Sequence, residues 1–273
     1  MKSCKREDLL NNQQMAEFVN LGMVRLDEIV PLDLCESIKK GFDKGEIKSR
    51  DGFKEQIGSL ENAYPIDSEL HQLVKLPKVK GLIESLVGKS PRFDHQAVHK
   101  TPPNWIHSQP LHQDAEIDVR ENAFDIQVSF FLHDTPLEMG GTRFLPGSHF
   151  RRVHESVIGR YQNIEGMHQV VCKAGTVIAW HHNLWHGAQP NYTDQNRYMF
   201  KLRLNPVVKQ QLLWNTEGVD EPEATENLSK WQPWFGQQGR IERIQRIHMW
   251  RTLTNNPNFD HSGWASRIEQ APF

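Results

Sequence analysis

Across FDIQVSFFL, apolar Phe124, Ile126, Val128, Phe130 and Leu132 alternate with Asp125, Gln127 and Ser129, so the segment has one apolar face and one functional or wet face. A period of two is that of a β-strand. RYMFKLRLNP repeats it, with Tyr198, Phe200, Leu202 and Leu204 opposite Arg197, Met199, Lys201 and Arg203. Shorter alternating runs fall at 169–172 and 176–180, and Pro/Gly turn clusters at 101–104, 139–141, 146–148 and 173–175 punctuate the region. Before residue 90 the spacing is helical instead. Leu9, Leu10, Met15, Phe18 and Val19 predict a helix closed by Gly22, and Leu34, Ile38 and Phe42 a second one behind a first-turn Pro31. Residues 69–76 and 78–87 predict two more, divided by Pro77 and closed by Gly88, while 23–29 predicts a short strand. Many short strands with no helix pattern alternating between them exclude a doubly wound parallel sheet and predict a mainly β fold, a sandwich or jelly roll. The expected organisation is a single domain over 1–273: a helical part (1–90), a catalytic jelly-roll core (91–210) and a Trp-rich C-terminal extension (211–273).

Composition adds exclusions. The 273 residues suffice for a large core, and 32 basic against 34 acidic side chains give a net charge of −2, so neither nucleic acid nor an anionic membrane surface is an expected partner. Cys4, Cys35 and Cys172 form no CxxC pair, which fits a reducing compartment. Without a signal-peptide pattern or the ~18 uninterrupted apolar residues of a membrane span, the expected setting is cytoplasmic. Trp214, Trp231, Trp234, Trp250 and Trp264 concentrate in the extension and read as packing anchors. The 14 histidines raise the expectation of a metal or acid/base site without locating it.

His112-Gln113-Asp114 offers a location. On a strand, residues i and i+2 point to the same side, so an H-x-D triplet presents an imidazole and a carboxylate to one ion: half of the 2-His-1-carboxylate set that holds non-haem Fe(II). Roughly 0.7 such triplets arise by chance in a chain this rich in His and Asp, so the triplet alone carries little. A second histidine must come from a distant strand. His181, His182 and His186 all follow the strand at 176–180.

Several separate stretches match the motifs of one known family. The triplet lies in SQPLHQD; MGGTRFLPGSH (139–149) is similar to an NG-x-x-x-x-x-PGSH pattern; AGTVIAWHHNLWHGAQPNYTDQNRYMF (174–200) has a Gly turn, a strand, a distal His, an Asn, and an Arg eleven residues after His186. From 108 to 206 the chain resembles the phytanoyl-CoA dioxygenase family of Fe(II)- and 2-oxoglutarate-dependent oxygenases. The resemblance implies a double-stranded β-helix (jelly roll, cupin-like) core with Fe(II), 2-oxoglutarate and O2 as cofactors and co-substrates. It implies His112, Asp114 and His186 as the metal ligands and Arg197 as the clamp on the far carboxylate of 2-oxoglutarate. More weakly, it implies Thr142 and Gln109 as further contacts to the keto acid. Ala188 departs from the family's frequent Ser two residues past the distal His and removes one hydroxyl donor. A carboxylate at Asp114, where related halogenases carry Gly or Ala, implies hydroxylation or another oxidation. His181 and His182 read as supporting or surface residues, and His149 as a structural turn residue.

The expected substrate is a small organic molecule, walled by residues 101–109, 115–122 and 150–166, with Trp105 and Trp185 as candidate stacking surfaces. Arg151, Arg152 and Arg160 read either as a solvated basic face or as a contact to an anionic substrate group. Two other classes stay open at this point: a cupin-like metal enzyme that does not use 2-oxoglutarate, and a catalytically inactive small-molecule-binding barrel.

Overall fold

A computed structural model describes residues 4–52, 58–114, 120, 122–151, 153–160 and 162–269. Nine strands are found among them: β1 (Met23–Leu26), β2 (Arg50–Asp51), β3 (Arg92–Thr101), β4 (Ile126–Phe131), β5 (Thr142–Phe144), β6 (His168–Gln169), β7 (Thr176–His181), β8 (His186–Ala188) and β9 (Arg197–Asn205). The larger sheet runs β1-β7-β4-β9-β3-β2 with antiparallel neighbours, and a smaller one runs β6-β5-β8. The two sheets form the jelly roll of a double-stranded β-helix.

The alternation in the sequence sorts the faces of the larger sheet. Ile126, Val128 and Phe130 of β4, Tyr198, Phe200, Leu202 and Leu204 of β9, and Val177 and Ala179 of β7 pack outward in one apolar cluster with the helices. Each such fully buried side chain contributes roughly 1.5–3 kcal/mol of transfer free energy. The opposite face carries Phe131, Ile178 and Trp180, which meet Phe144 and Leu184 in a second cluster. Every residue of β4 is buried, including Gln127 and Ser129, so the face expected to be wet is enclosed by the rest of the barrel.

Four helices cover the outer face: α1 (Asn12–Leu21), α2 (Leu32–Asp43), α3 (Glu69–Lys75) and α4 (Pro77–Val87). α1 starts later than the apolar spacing suggests, because Asn11 caps it and closes a reciprocal pair of hydrogen bonds with Gln14, leaving Leu9 and Leu10 ahead of the helix. Pro31 is the N-cap of α2 and not a first-turn residue, whereas Pro77 does open α4. The alternating run at 169–172 gives only the two-residue β6, though Val170 and Cys172 still pack inward. No helix among the described residues is long and apolar enough to cross a membrane.

The C-terminal segment joins the same packing. Its helix Gly239–Thr254 sends Met249, Trp250 and Leu253 into the outer cluster beside Trp214, which donates to the side chain of Asn12 at 2.8 Å. Trp234 donates to the Pro146 carbonyl at 2.8 Å and packs against Trp185, next to His186 in the chain. Trp214, Trp234 and Trp250 are anchors, and Trp234 braces the barrel beside the predicted ligand, whereas Trp231, expected to be another, is half exposed.

Candidate active site

His112 and His186 face each other as an antiparallel bridge, each main-chain N–H donating to the other's carbonyl, at 3.0 and 2.9 Å. A directly opposed pair of this kind puts two side chains on one side of the ladder. The rings lie 4.4 Å apart, centroid to centroid. The approach depends on Gly187, whose place leaves no room for a Cβ: one would stand 2.7 Å from the Gln109 carbonyl and 3.1 Å from that of Pro110. Asp114 is not on a continuous strand. It occupies a bend, fixed by its N–H donating to the His182 carbonyl at 3.1 Å, and this connection, not strand pleating, brings the carboxylate beside the imidazoles.

The result is a compact donor set. One ligand atom from each of His112, Asp114 and His186 lies within 4.8 Å of the others; Asp114 Oδ1 is 3.8 Å from His112 Nε2, and Oδ2 is 3.5 Å from His186 Nε2. Both rings hold Nδ1 against a main-chain carbonyl, His112 against Pro110 at 3.0 Å and His186 against Leu184 at 2.8 Å. A carbonyl only accepts, so Nδ1 carries the proton and Nε2 presents its lone pair to the site. Burial holds His186 down to about 4, which keeps it neutral at physiological pH. Burial by itself raises Asp114, but His186, Lys201, His112 and Arg203 together hold its carboxyl down to about 2. Gln127, fully buried on β4, donates to Asp114 Oδ2 and fixes the carboxylate's rotation.

His112 and His186 border a cavity of about 130 Å³ that is also lined by Arg197, Thr142, Gln109 and Lys201, with the Asp114 carboxylate beside the two imidazoles. The Arg197 guanidinium is held by Nη1 donating to the Met139 and Gln189 carbonyls, both at 2.9 Å, and to that of Gly140, while Nη2 donates to Thr101 Oγ1 at 2.8 Å. Gly140 adopts a left-handed φ of 69°, which turns its carbonyl toward the arginine. Burial lowers the guanidinium to about 10, so it remains charged. Among the described residues no carboxylate faces it, which leaves Nε and one Nη2 hydrogen for an incoming anion. Thr142 donates weakly to Met199 Sδ at 3.5 Å; Gln109 accepts from the Ala188 N–H at 3.3 Å and reaches to 3.4 Å from His112 Nε2.

His99 also lines the cavity, where burial and the Lys201 charge hold it down to about 4; the histidines nearer the distal one lie outside it. His149 is 2 % exposed, with its ring 5.1 Å from that of His181, and burial and the Arg246 charge hold it down to about 3. His181 stacks on His182 at 4.6 Å, and His182 Nδ1 meets the main chain of Asp125. Arg151 is paired inward with Glu242 at 2.5 Å and lies over Trp234, Arg160 is exposed, and Arg152 falls outside the described residues. Residues 115–119 and 121 of the second expected wall also fall outside them. Gln127 and Lys201 contact Asp114, and the motifs named neither. Their signal was present in the strand phase, since both lie on the polar faces that carry Asp125 and Arg197.

The family model for phytanoyl-CoA dioxygenase (PhyH) matches residues 19–199. The chain belongs to this family. Among curated relatives of this phytanoyl-CoA dioxygenase family member, L-proline trans-4-hydroxylase of Streptomyces griseoviridis is 25% identical over 183 residues, spanning 55% of this chain and 68% of the other. HygX from Streptomyces hygroscopicus, solved with nickel and 2-oxoglutarate, superimposes with a TM-score of 0.55 at 14% identity, over 73% of this chain and 88% of HygX. EctD from S. alaskensis gives 0.53 at 19% identity, over 72% and 78% of the two chains. At these identities the structural likenesses speak for the fold.

Proposed function

We propose that this family member is an Fe(II)- and 2-oxoglutarate-dependent oxygenase that hydroxylates an unactivated C–H bond of a small organic molecule, with release of succinate and CO2. The observation that carries the reading is the convergence of two Nε2 lone pairs and a buried guanidinium on one cavity, with an ionised carboxylate beside the imidazoles. Two neutral imidazoles and one carboxylate suit Fe(II) and leave positions for a chelating keto acid and O2. When bound, Fe(II) with 2-oxoglutarate supplies the activation of O2 needed to oxidise an inert C–H bond.

The chain's own residues do the rest. His112 and His186 present fixed lone pairs, because their Nδ1 protons are held by carbonyls. Asp114 adds the negative charge, and Gln127 holds its rotamer. Arg197 pairs with the far carboxylate of the keto acid through a planar fork anchored by main-chain carbonyls, so little order is lost on binding. Gln109 and Thr142 line the path between clamp and ligands, and Phe131 and Trp180 keep that part of the cavity apolar. Asp114 fills the place a halide would need, which favours hydroxylation over halogenation, and the relative named as a proline hydroxylase supports the same direction. Free cysteines at positions 4, 35 and 172 fit a reducing, cytoplasmic setting, which would also keep iron ferrous.

The test is succinate production. Protein reconstituted with Fe(II) and given 2-oxoglutarate in air should release succinate, slowly alone and faster with an accepted substrate. A folded, iron-loaded protein that yields none would overturn the reading and favour a metal enzyme that does not use the keto acid.

A further inference from the structure

β9 carries two buried cations on its cavity face. Arg197 lies at one end against main-chain carbonyls; Lys201, four residues on, is 7 % exposed and extends beside Asp114. At about 3.3 Å per residue they enter the cavity roughly 13 Å apart along the strand. Their partners differ. Lys201 Nζ contacts only Asp114 Oδ2 among the described residues, at 3.5 Å, well beyond the ~2.7–2.9 Å of a good charge-assisted hydrogen bond. The same oxygen is already held by Gln127. Arg203, next along this face, is engaged by Asp125 Oδ2 at 3.5 Å and the Asp114 carbonyl at 3.2 Å.

Charge balance makes the lysine conspicuous. With Fe(II) and 2-oxoglutarate in place, +2 from the metal, −1 from Asp114, −2 from the diacid and +1 from Arg197 sum to zero. Lys201 is left over as +1, and no carboxylate is found among the described residues that line the cavity. A buried ammonium whose one anionic contact is long and shared with the metal site is costly unless a ligand neutralises it. We propose that Lys201 anchors a carboxylate of the organic substrate beside the metal ligands, which makes that substrate a small carboxylic acid. This rests on the reading that Fe(II) and 2-oxoglutarate occupy the cavity.

Calorimetry on protein loaded with Zn(II), which binds without turnover, separates the possibilities. 2-Oxoglutarate is titrated first, followed by a panel of amino, hydroxy and aliphatic carboxylic acids and their primary amides, for the wild type, Lys201→Met and Lys201→Arg. The expected result is that at least one acid binds the Zn(II)–2-oxoglutarate protein at least tenfold tighter than its amide. Lys201→Met should remove that preference while 2-oxoglutarate affinity changes less than threefold, and Lys201→Arg should restore it. A panel in which no acid outbinds its amide overturns the proposal. So does a Lys201→Met loss that falls on 2-oxoglutarate, which would assign the lysine to the keto acid, or on Zn(II) alone, which would assign it to Asp114. If 2-oxoglutarate fails to bind the wild type, the functional reading itself falls; if it binds and only the acids fail, the lysine assignment alone is lost.

Discussion

Two groups of histidines in this barrel behave as different materials. His112 and His186 hold Nδ1 against carbonyls and turn Nε2 into a cavity beside an ionised carboxylate. His181 stacks on His182, with His149 tilted against His181, in the packing behind it. Burial lowers the basicity of both His186 and His149, to about 4 and about 3. A depressed pKa therefore does not distinguish a ligand from a packing residue. The direction of the lone pair and the company of Asp114 do.

The comparison breaks most sharply at the ligands. His186→Ala should lower Fe(II) affinity by at least 100-fold in equilibrium dialysis, whereas His149→Asn should leave it within about threefold; equal losses would erase the distinction. Next, Arg197→Ala should retain metal but weaken 2-oxoglutarate about 100-fold, as expected for loss of a buried charge-assisted pair worth about 2–3 kcal/mol. Gln127→Leu should cost roughly tenfold in metal affinity, the usual scale for a group that orients a ligand. The packing histidines should appear instead in acid stability. Because the folded state keeps His149 and His186 neutral while the unfolded chain protonates near 6.5, stability should fall as pH drops from about 6.5 toward 4. Each such histidine contributes a slope approaching 1.4 kcal/mol per pH unit. His149→Asn should flatten that slope in urea titrations of the metal-free protein, and an unchanged slope would show that His149 is not held neutral.

Much of this was legible from residue phase. Alternation at 124–132 and 197–204 located β4 and β9 and separated Arg197 from the apolar residues facing the helices. His186 was singled out by the family resemblance, through its interval to Arg197, and the cavity is lined by both together with His112. Phase cannot tell a wet face from an enclosed one, because that depends on what covers it; Gln127 and Lys201 became site residues only once Asp114 was placed beside them. The H-x-D triplet was read as strand geometry, yet Asp114 is positioned by a bend hydrogen-bonded to His182, 68 residues away in the chain (182 − 114). Arg151 meets Glu242 across 91 residues (242 − 151), so its buried pairing had no local signature.

The central claim is that His112, Asp114, His186 and Arg197 hold Fe(II) and 2-oxoglutarate together. Anaerobic addition of 2-oxoglutarate to the Fe(II) protein tests it most directly, through the visible charge-transfer absorption of the metal–keto-acid chelate. The band should appear and saturate at one equivalent per chain in the wild type, be absent in His112→Ala, and need far more 2-oxoglutarate in Arg197→Ala. A folded wild type that binds Fe(II) and shows no band at saturating 2-oxoglutarate would contradict the account.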